Sequence, residues 1–534
     1  MKIRGVFGMK RTEEWKARQM IHRYGSLRTQ LVLEGLLVGI VAGLVSSFYR
    51  YALVKADAIR GAVLAFCDGN LFRMAGWIVV LALLAVVVTK LLQWEPMTSG
   101  SGIPQVEAEI AGYIRPNWWR VIAGKIVGGF LCIVGGLSLG REGPSIQLGG
   151  MAGKGVSRAL GRFRLEEHFL ITCGASAGLS AAFNAPLAGV MFALEEVHKN
   201  FSAMVLLSCM TASLVADYIA NSIFGMEPVF SFVVEDMIPL GGYVYIILLG
   251  LLCGVLGVFY NKVLLASQTA YKKLSFLPQT VRIMIPFLCA GLLGFAMPEV
   301  LGGGHGMIAA LYDGNMLLSS ILVLLAVKFL FSMVSFGSGA PGGIFFPLLV
   351  LGAYVGGAYG TALVDWFGFD PSFMANVVII AMAALFSSIV RAPVTGIVLI
   401  SEMTGSFSHL LSLSTAALVA YVVAEQLKNK PVYESLTERL LSGRKVKVAK
   451  GIAGAKSIIT SIIEEGSQAD GCLVQDLGLP STCLLVSVMR GAEELIPRGQ
   501  LRLKAGDQLA TMVSERDLTA MESVMKHKVS FEER

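Results

Sequence analysis

The stretch that decides the fold is "SLGREGPSIQLGG" at residues 138–150. It places Arg141 and Glu142 inside an apolar region, among glycines and directly ahead of Pro144. Proline suits the first turn of a helix, so the stretch predicts a glycine loop that leads into a helix. An ionised carboxylate at membrane depth is costly and marks a functional group by default. Glu142 is therefore the first candidate site residue.

The composition indicates a membrane protein. Of 534 residues 55% are hydrophobic and 15% charged, whereas soluble domains carry about 25% charged residues. Apolar runs of the roughly 20 residues that cross a bilayer recur along the chain. The clearest are 31–53, 77–93, 121–137, 203–224, 241–266, 317–335 and 409–427. We predict an all-α polytopic membrane protein.

Basic residues cluster at 1–30, ahead of the first apolar run, and at 439–450, after the last. By the positive-inside rule both termini are expected in the cytoplasm, with an even number of crossings. No motif for RNA or DNA binding accompanies these clusters, so we expect no nucleic-acid partner. The start lacks the pattern of a cleaved signal peptide. The expected location is a bacterial inner or plasma membrane.

Cysteines and histidines give no sign of a metal site. Six of the eight cysteines lie in or beside apolar segments without paired CxxC spacing, which is typical of small core residues. The six histidines are scattered, and His305 sits in a glycine loop. We predict neither a metal nor a cofactor.

The sequence repeats itself in three places. "APLAGVMFALEE" (185–196) matches "APVTGIVLISEM" (392–403), "GPSIQLG" (143–149) matches "FPLLVLG" (346–352), and "GLLVG" (35–39) matches "GLLCG" (250–254). The offsets are 207, 203 and 215 residues. We predict two halves, about 31–225 and 241–435, as in transporters that bind substrate between their repeats. The residues alone leave parallel and inverted halves open.

Three glycine-rich stretches lead to helix starts: "GSGIP" (100–104), "GREGP" (140–144) and "GGIFFP" (342–347). A helix start offers unpaired N–H groups and a partial positive charge, which hold an anion without a buried cation. Conduction needs such weak, multi-site binding. Each stretch alone is equally a simple turn, but all three on a repeat frame favour an anion pathway.

These three motifs, with "AAFNAPLAGVMFALEE" (181–196) and "NKPVY" (429–433), resemble the CLC family of chloride channels and chloride–proton transporters. The resemblance covers roughly residues 30–440. It implies a homodimer with one ion pathway per subunit and two inverted repeats of tilted and broken helices. The transmembrane domain would span 31–440, after a basic segment at 1–30.

The resemblance also implies site residues. Ser101 and Tyr433 resemble hydroxyl donors to a central chloride, and Ile344 and Phe345 resemble residues that bind it through backbone N–H groups. Glu142 resembles the external gating glutamate, which occupies an anion site and leaves it when protonated. Chloride and proton would compete to displace this carboxylate.

A second glutamate decides between exchange and conduction. Glu196 resembles the internal proton-transfer glutamate of the exchangers, although His198 and Lys199 also fit a solvated helix end. Its neighbour Glu195 is expected to be structural, and Glu107 resembles a structural glutamate near the intracellular side. We predict chloride transport coupled to proton counter-transport, with a passive voltage- or pH-gated chloride channel as the alternative.

Two further classes fit less well. A fluoride-selective branch of the family typically lacks the serine and alters the residue after "GREG", whereas this chain keeps Ser101 and Pro144. A membrane enzyme would need a nucleophile–base pair or paired aspartates within apolar segments, and the sequence offers neither. We predict that the chain is not an enzyme.

The tail changes character after about residue 445. "VQDLGLPSTCLLVSVMRGAEELIPRGQLRLKAGDQLATMV" (474–513) resembles a TrkA-C type regulatory domain, which implies an α+β domain at 446–534 that can bind a small ligand. Strands are predicted near 484–489 and 508–513, with a helix near 515–526. Arg490 and Arg498 are placed where they could reach an anionic ligand, but we interpret them as solvated surface residues.

Overall fold

A computed structural model describes residues 4–162, 164–199, 203–230, 238–312, 316–442, 456–479, 483–490 and 493–514. The chain divides into two compact units, Met1–Arg444 and Lys445–Arg534.

The first unit is built from helices. They are α1 (Arg4–Cys67), α2 (Leu71–Trp94), α3 (Ile103–Ile110), α4 (Trp118–Val134), α5 (Glu142–Ala159), α6 (Arg164–Phe183), α7 (Pro186–Phe192), α8 (Ala203–Phe224), α9 (Tyr243–Lys273), α10 (Gln279–Ala296), α11 (His305–Tyr312), α12 (Leu318–Gly337), α13 (Phe345–Phe367), α14 (Met374–Val390), α15 (Pro393–Thr404), α16 (Leu410–Gln426) and α17 (Val432–Ser442). Within the described residues, eight helical stretches are long and apolar enough to cross a membrane. The predicted all-α membrane fold is confirmed.

Hydropathy alone located the spans incompletely. Three spanning stretches, Gln279–Ala296, Phe345–Phe367 and Pro371–Val390, were not among the clearest apolar runs. Pro286 lies inside α10 and glycines punctuate α13, so composition hides these helices. Conversely, the run at 121–137 forms the 17-residue helix α4, too short for the set of spanning helices.

The repeated glycines pack equivalent helix pairs. A Cβ built on Gly39 of α1 would lie 2.6 Å from the carbonyl oxygen of Ala212 in α8. A Cβ on Gly250 of α9 would lie 2.9 Å from the carbonyl oxygen of Ala416 in α16. Only glycine permits this approach of one backbone to another. Both halves therefore use the same close helix contact.

The halves cap each other's helices reciprocally. The Glu195 carboxylate accepts from the backbone N–H of Thr395, at the start of α15, at 2.8 Å. The Glu402 carboxylate accepts from the backbone N–H of Ala188, at the start of α7, also at 2.8 Å. Contacts exchanged this way require an approximate two-fold axis between the repeats. The expectation that Glu195 is structural agrees with this contact.

The side chains in the middle of the unit are largely buried. Nearly every side chain of α14 and most of those of α5 and α13 are buried. Helices α5 and α13 begin inside this region instead of at its surface, so their polar N-terminal ends lie at depth.

The second unit contains an antiparallel four-stranded sheet, in the order β1–β4–β2–β3. Its strands are β1 (Lys456–Ile462), β2 (Leu484–Arg490), β3 (Glu493–Leu495) and β4 (Gln508–Ser514). The strands predicted near 484–489 and 508–513 are present as β2 and β4. Strands β1 and β3 were not predicted, and the helix predicted near 515–526 lies outside the described residues.

Candidate functional site

Backbone hydrogen bonds join the three glycine-rich loops to one another. Gly140 donates to the carbonyl of Gly343 at 2.7 Å, and Gly343 donates back to that of Gly140 at 2.8 Å. Gly342 donates to the carbonyl of Gly100 at 3.0 Å. The loop ahead of α3 and the N-terminal ends of α5 and α13 therefore meet in one place.

Two buried lysines bind backbone carbonyls, one in the loop ahead of α3 and the other in a further glycine loop ahead of α11. Lys125 of α4 donates to the carbonyls of Thr98 and Gly100 at 3.0 and 2.6 Å. Lys328 of α12 donates to the carbonyls of Val300 and Gly302, both at 2.8 Å. Both ammonium groups are fully buried, so each carbonyl pair satisfies a cation that has no access to water.

Glu142 is the first residue of α5 and is fully buried. Its carboxylate faces the backbone N–H groups of Glu142 itself and of Phe346 in α13. Neither oxygen makes a hydrogen bond of normal geometry within the described residues. The nearest cation is Arg141, whose Nε lies 3.8 Å from Oε1. A Cβ on Gly140 would crowd this carboxylate and would lie 3.1 Å from the backbone nitrogen of Phe346.

Ser101 lies against the start of α5. A Cβ built on Gly143 would meet the Ser101 hydroxyl and would lie 2.9 Å from the Ser101 carbonyl oxygen. The Ser101 side chain is 2% exposed, and its hydroxyl has no hydrogen-bond partner in the described ranges. The loop thus presents a free hydroxyl beside a helix N-terminus.

Tyr433 approaches the same region from α17. It is fully buried, and among the described residues its hydroxyl has no partner. Its ring packs edge-on against Phe192 at 6.4 Å, and Phe192 packs edge-on against Phe345 at 6.1 Å. Ile344 is the N-cap of α13 and Phe345 is its first residue. The Phe192 ring therefore connects Tyr433 with the residues whose backbone is predicted to bind chloride.

Glu196 lies deeper in the first half. It is part of a π-helical turn, Ala193–His198, a form frequent at functional sites. Its side chain is 4% exposed. Glu196 therefore does not lie at a solvated helix end, which is the alternative that His198 and Lys199 left open. It faces Glu107, whose carboxylate accepts from the Thr437 hydroxyl at 2.8 Å. Two buried carboxyl groups thus lie together.

Tyr433 lies within electrostatic range of both acidic positions, Glu142 and the Glu196–Glu107 pair. No group of three or more metal-ligating side chains occurs among the residues the structure describes.

A cavity of about 390 Å³ opens beside Glu142. We call it the mouth cavity. Its walls include Arg141, His305 and Phe346, with Asp57 and Arg60 from α1. Asp57 and Arg60 form an ion pair at 2.6 Å. The cavity gives the gate candidate an approach on one side, through walls that are mostly apolar and carry a few charged side chains.

Sequence reasoning missed the two lysines, His305 and Phe346. Lys125 and Lys328 had a usable signal, because a lysine within an apolar run is expensive unless its ammonium has partners. His305 had none, since its neighbour in space, Phe346, lies 41 positions away in sequence.

Known proteins are similar to this chain along most of its length. Residues 80–425 match the family model described as voltage gated chloride channel. An H(+)/Cl(-) exchange transporter ClcA of Vibrio cholerae is 34% identical over 428 residues, which are 77% of this chain and 90% of that protein. The Vibrio vulnificus transporter of the same name is 35% identical over 442 residues, 79% of this chain and 92% of its own.

Solved structures agree. The crystal structure of a slow cyanobacterial Cl-/H+ antiporter is 30% identical with a TM-score of 0.74, covering 78% of this chain and 98% of its own. A CLC-type fluoride/proton antiporter, 24% identical with a TM-score of 0.63, covers 74% of this chain and 96% of its own, and shows likeness of fold alone. The chain therefore belongs to the voltage gated chloride channel family, the CLC family that its motifs resemble.

Proposed function

We propose that this protein exchanges chloride for protons across a membrane. The observation that carries the proposal is the fully buried Glu142 carboxylate, set where the ends of α5 and α13 meet. The names of the Vibrio relatives and of the cyanobacterial structure support coupled exchange over passive conduction.

The anion site is formed by neutral donors. Ser101 and Tyr433 bring buried hydroxyls that lack acceptors in the described structure, and Ile344 and Phe345 bring N–H groups of a helix start. An unsatisfied buried donor costs about 1–3 kcal/mol, which a bound anion relieves. No full positive charge is needed, so chloride binds without being trapped.

Glu142 acts as the external gate. Its carboxylate and chloride compete for the same N–H groups, because both are anions attracted to one helix end. Protonation removes that attraction, and the neutral side chain leaves the site to chloride. One proton is thereby exchanged against chloride at a single position.

Glu196 supplies the proton from the inner side. Its burial beside Glu107 makes two adjacent negative charges unfavourable, so the pair retains a proton readily. Tyr433 lies within electrostatic range of Glu142 and Glu196, which ties chloride occupancy to both acids.

The experiment that tests exchange follows chloride and proton movement together in liposomes. Wild-type protein under opposed gradients is expected to drive protons uphill with chloride, whereas a passive channel ignores the proton gradient. Glu196→Gln is expected to abolish proton movement and leave chloride flux. Glu438→Gln, at an exposed cytoplasmic-end glutamate, is the matched control. Unchanged coupling in Glu196→Gln contradicts the role of that residue.

The anion site has its own test. Each hydrogen bond to a charged group contributes about 1.5–3 kcal/mol, so Ser101→Ala is expected to weaken chloride binding by at least about tenfold, measured by calorimetry on purified protein. Tyr433→Phe should weaken it similarly. Wild-type affinity in both variants contradicts the assignment.

The remaining expectations are part of the same proposal. The protein forms a homodimer in a bacterial inner membrane, with both termini in the cytoplasm and the mouth cavity outside. Residues 446–534 form a TrkA-C type domain that takes a small-molecule ligand. Light scattering of detergent-solubilised protein tests the dimer, and protease accessibility of intact cells tests the orientation of the termini.

A further inference from the structure

His305 lies in the mouth cavity directly over the chloride-binding motif. Its imidazole stacks on the ring of Phe346, with centroids 3.8 Å apart and an interplanar angle of 14°. Phe346 is fully buried and also packs against Phe183 and Phe230. The backbone N–H of Phe346 faces the Glu142 carboxylate. The imidazole and the gate candidate are thus linked through one residue.

A proton leaving Glu142 has to cross the mouth cavity, because the carboxylate is fully buried. The cavity wall contains three other groups that accept protons: Asp57, Glu299 and His305. Asp57 is held in its ion pair with Arg60. A carboxylate such as that of Glu299 is a weak base near neutral pH. Imidazole is the side chain whose ordinary pKa lies nearest neutral pH, so it is the wall group best suited to take up a proton briefly and release it again.

The surroundings of His305 favour loss of a proton from its imidazolium over retention of that proton. Loss of hydration inside the cavity is the largest factor that opposes a positive charge on its ring, and the cations of Arg141, Arg50 and Lys328 add to it. The Lys328 ammonium is near, since a Cβ on Gly304 would lie 3.2 Å from it. The His305 side chain is exposed to the cavity. An imidazolium formed there gives its proton to the water outside.

We propose that His305 is the external proton-exchange residue of the transport cycle; this rests on the proposed chloride–proton exchange. Protonated Glu142, once displaced into the mouth cavity, gives its proton to the free ring nitrogen of neutral His305, directly or through one water. The imidazolium then releases its other N–H proton, or the same one, to external water. Glu142 returns to the anion site as a carboxylate, and the cycle runs backwards for inward protons.

The variant that tests this role is His305→Phe. A phenyl ring preserves the stack on Phe346 and removes both nitrogens, so packing and proton exchange are separated. A positioned acid–base group contributes roughly 10²–10⁴ in rate, and water remains a poorer acceptor here. We expect coupled exchange in liposomes to slow by about tenfold, with the chloride-to-proton ratio unchanged.

The Glu142→Ala background distinguishes proton exchange from permeation. Without Glu142 no proton is delivered to His305, so adding His305→Phe should leave chloride flux unchanged. If the double variant loses as much chloride flux as His305→Phe does in the wild-type background, His305 shapes the pathway and the proposal is overturned.

Rescue gives a second readout. Imidazole at tens of millimolar on both sides of the membrane should restore exchange in His305→Phe and leave wild type unaffected. His409→Phe, a matched change at the ring that precedes α16 and is not part of the mouth-cavity wall, should exchange at the wild-type rate. Absence of rescue, or full activity of His305→Phe, overturns the proposal.

The two proposals fail differently. If wild-type protein moves chloride without protons, chloride–proton exchange itself is wrong. If wild type couples the ions and His305→Phe couples them equally fast, only the role of His305 is wrong.

Discussion

The two halves of the membrane unit share a frame and differ in the groups placed on it. Pro144 and Pro347 follow the two joined glycine loops at equivalent positions, 203 residues apart. At that same spacing Glu142 of the first half corresponds to Phe345 of the second. A buried carboxylate therefore faces one helix end, and an aromatic ring stands at the other.

The two loops that bind the buried lysines, one ahead of α3 and one ahead of α11, differ in the same way. Lys125 and Lys328 each bind two carbonyls of a glycine loop. The first loop continues into Ser101, with a free buried hydroxyl, and the second into Gly303, with no side chain. Duplication thus accounts for the scaffold, whereas the departures from symmetry carry the chemistry.

Substitutions at Glu142 and Phe345 give the strongest test of the difference between the two halves. Glu142→Ala should abolish proton movement while chloride still crosses, because the titrating group is gone. Phe345→Leu should keep proton coupling, since it retains the backbone N–H and changes only packing. Parallel chloride and pH recordings in liposomes check this. Proton transport surviving in Glu142→Ala would mean that another group gates the pathway.

The lysine pair gives the next largest effect. Lys328→Met removes the lysine donor from the Val300 and Gly302 carbonyls, and Lys125→Met removes it from the Thr98 carbonyl, at about 1–3 kcal/mol for each carbonyl left unpaired. The Gly100 carbonyl keeps its hydrogen bond from Gly342. Both should lower the thermal midpoint of the purified protein. Only Lys125→Met should also weaken chloride binding in calorimetry, because its loop leads to Ser101. Equal loss of chloride affinity in both variants would show that the loops are not functionally distinct.

The reciprocal helix caps test the structural features that the two halves share. Glu195→Gln and Glu402→Gln each remove a charged cap from two N–H groups at a helix start, and each should cost about 1 kcal/mol. A two-fold frame predicts similar losses of thermal stability for the two variants, slightly larger for Glu195→Gln because the Glu195 carboxylate also accepts from the Thr395 hydroxyl at 2.7 Å. A cost confined to one variant would contradict it. Chloride–proton coupling should be retained in both.

The smallest effect lies outside the repeats, in the second unit, and serves as a contrast. Two hydrogen bonds from Arg490, each 2.8 Å long, hold the pKa of the Asp507 carboxyl below its usual range. This stabilisation is present above the unfolded pKa of about 3.9 and is lost as pH falls through the lower folded pKa.

Arg490→Met should remove about 1 kcal/mol from the sheet at neutral pH and flatten its acid dependence. Hydrogen exchange of Gln508–Ser514 in the full-length protein, from pH 7 down to pH 3, measures it. An acid dependence unchanged by the substitution would contradict the assignment. Chloride–proton exchange is the control, and it should not change.

Several structural features were predictable because they are local. The three glycine–proline stretches predicted helix starts at α3, α5 and α13, and the helices begin there. The reason is local, because proline fits best in the first turn of a helix. Strands β2 and β4 followed from their short apolar runs. Arg490 was read as a solvated surface residue, yet it binds the buried Asp507, because its partner is 17 positions away.

Long-range pairings were not predictable in this way. Nothing in the sequence around Glu196 shows that Glu107 faces it, because the two carboxyl groups come from different helices. The stack of His305 on Phe346 and the binding of two carbonyls by each lysine are similarly invisible to periodicity and composition.

The sequence by itself determined that this chain is helical, membrane-embedded and repeated, because bilayer thickness and helix geometry fix the length and apolarity of each span. It also determined which family the chain belongs to, through motifs a few residues long. Only the tertiary structure decided which helix ends meet, which hydroxyls stay free of partners and which ring covers Phe346. Those contacts join residues far apart along the chain, and their energies depend on burial that no short stretch encodes.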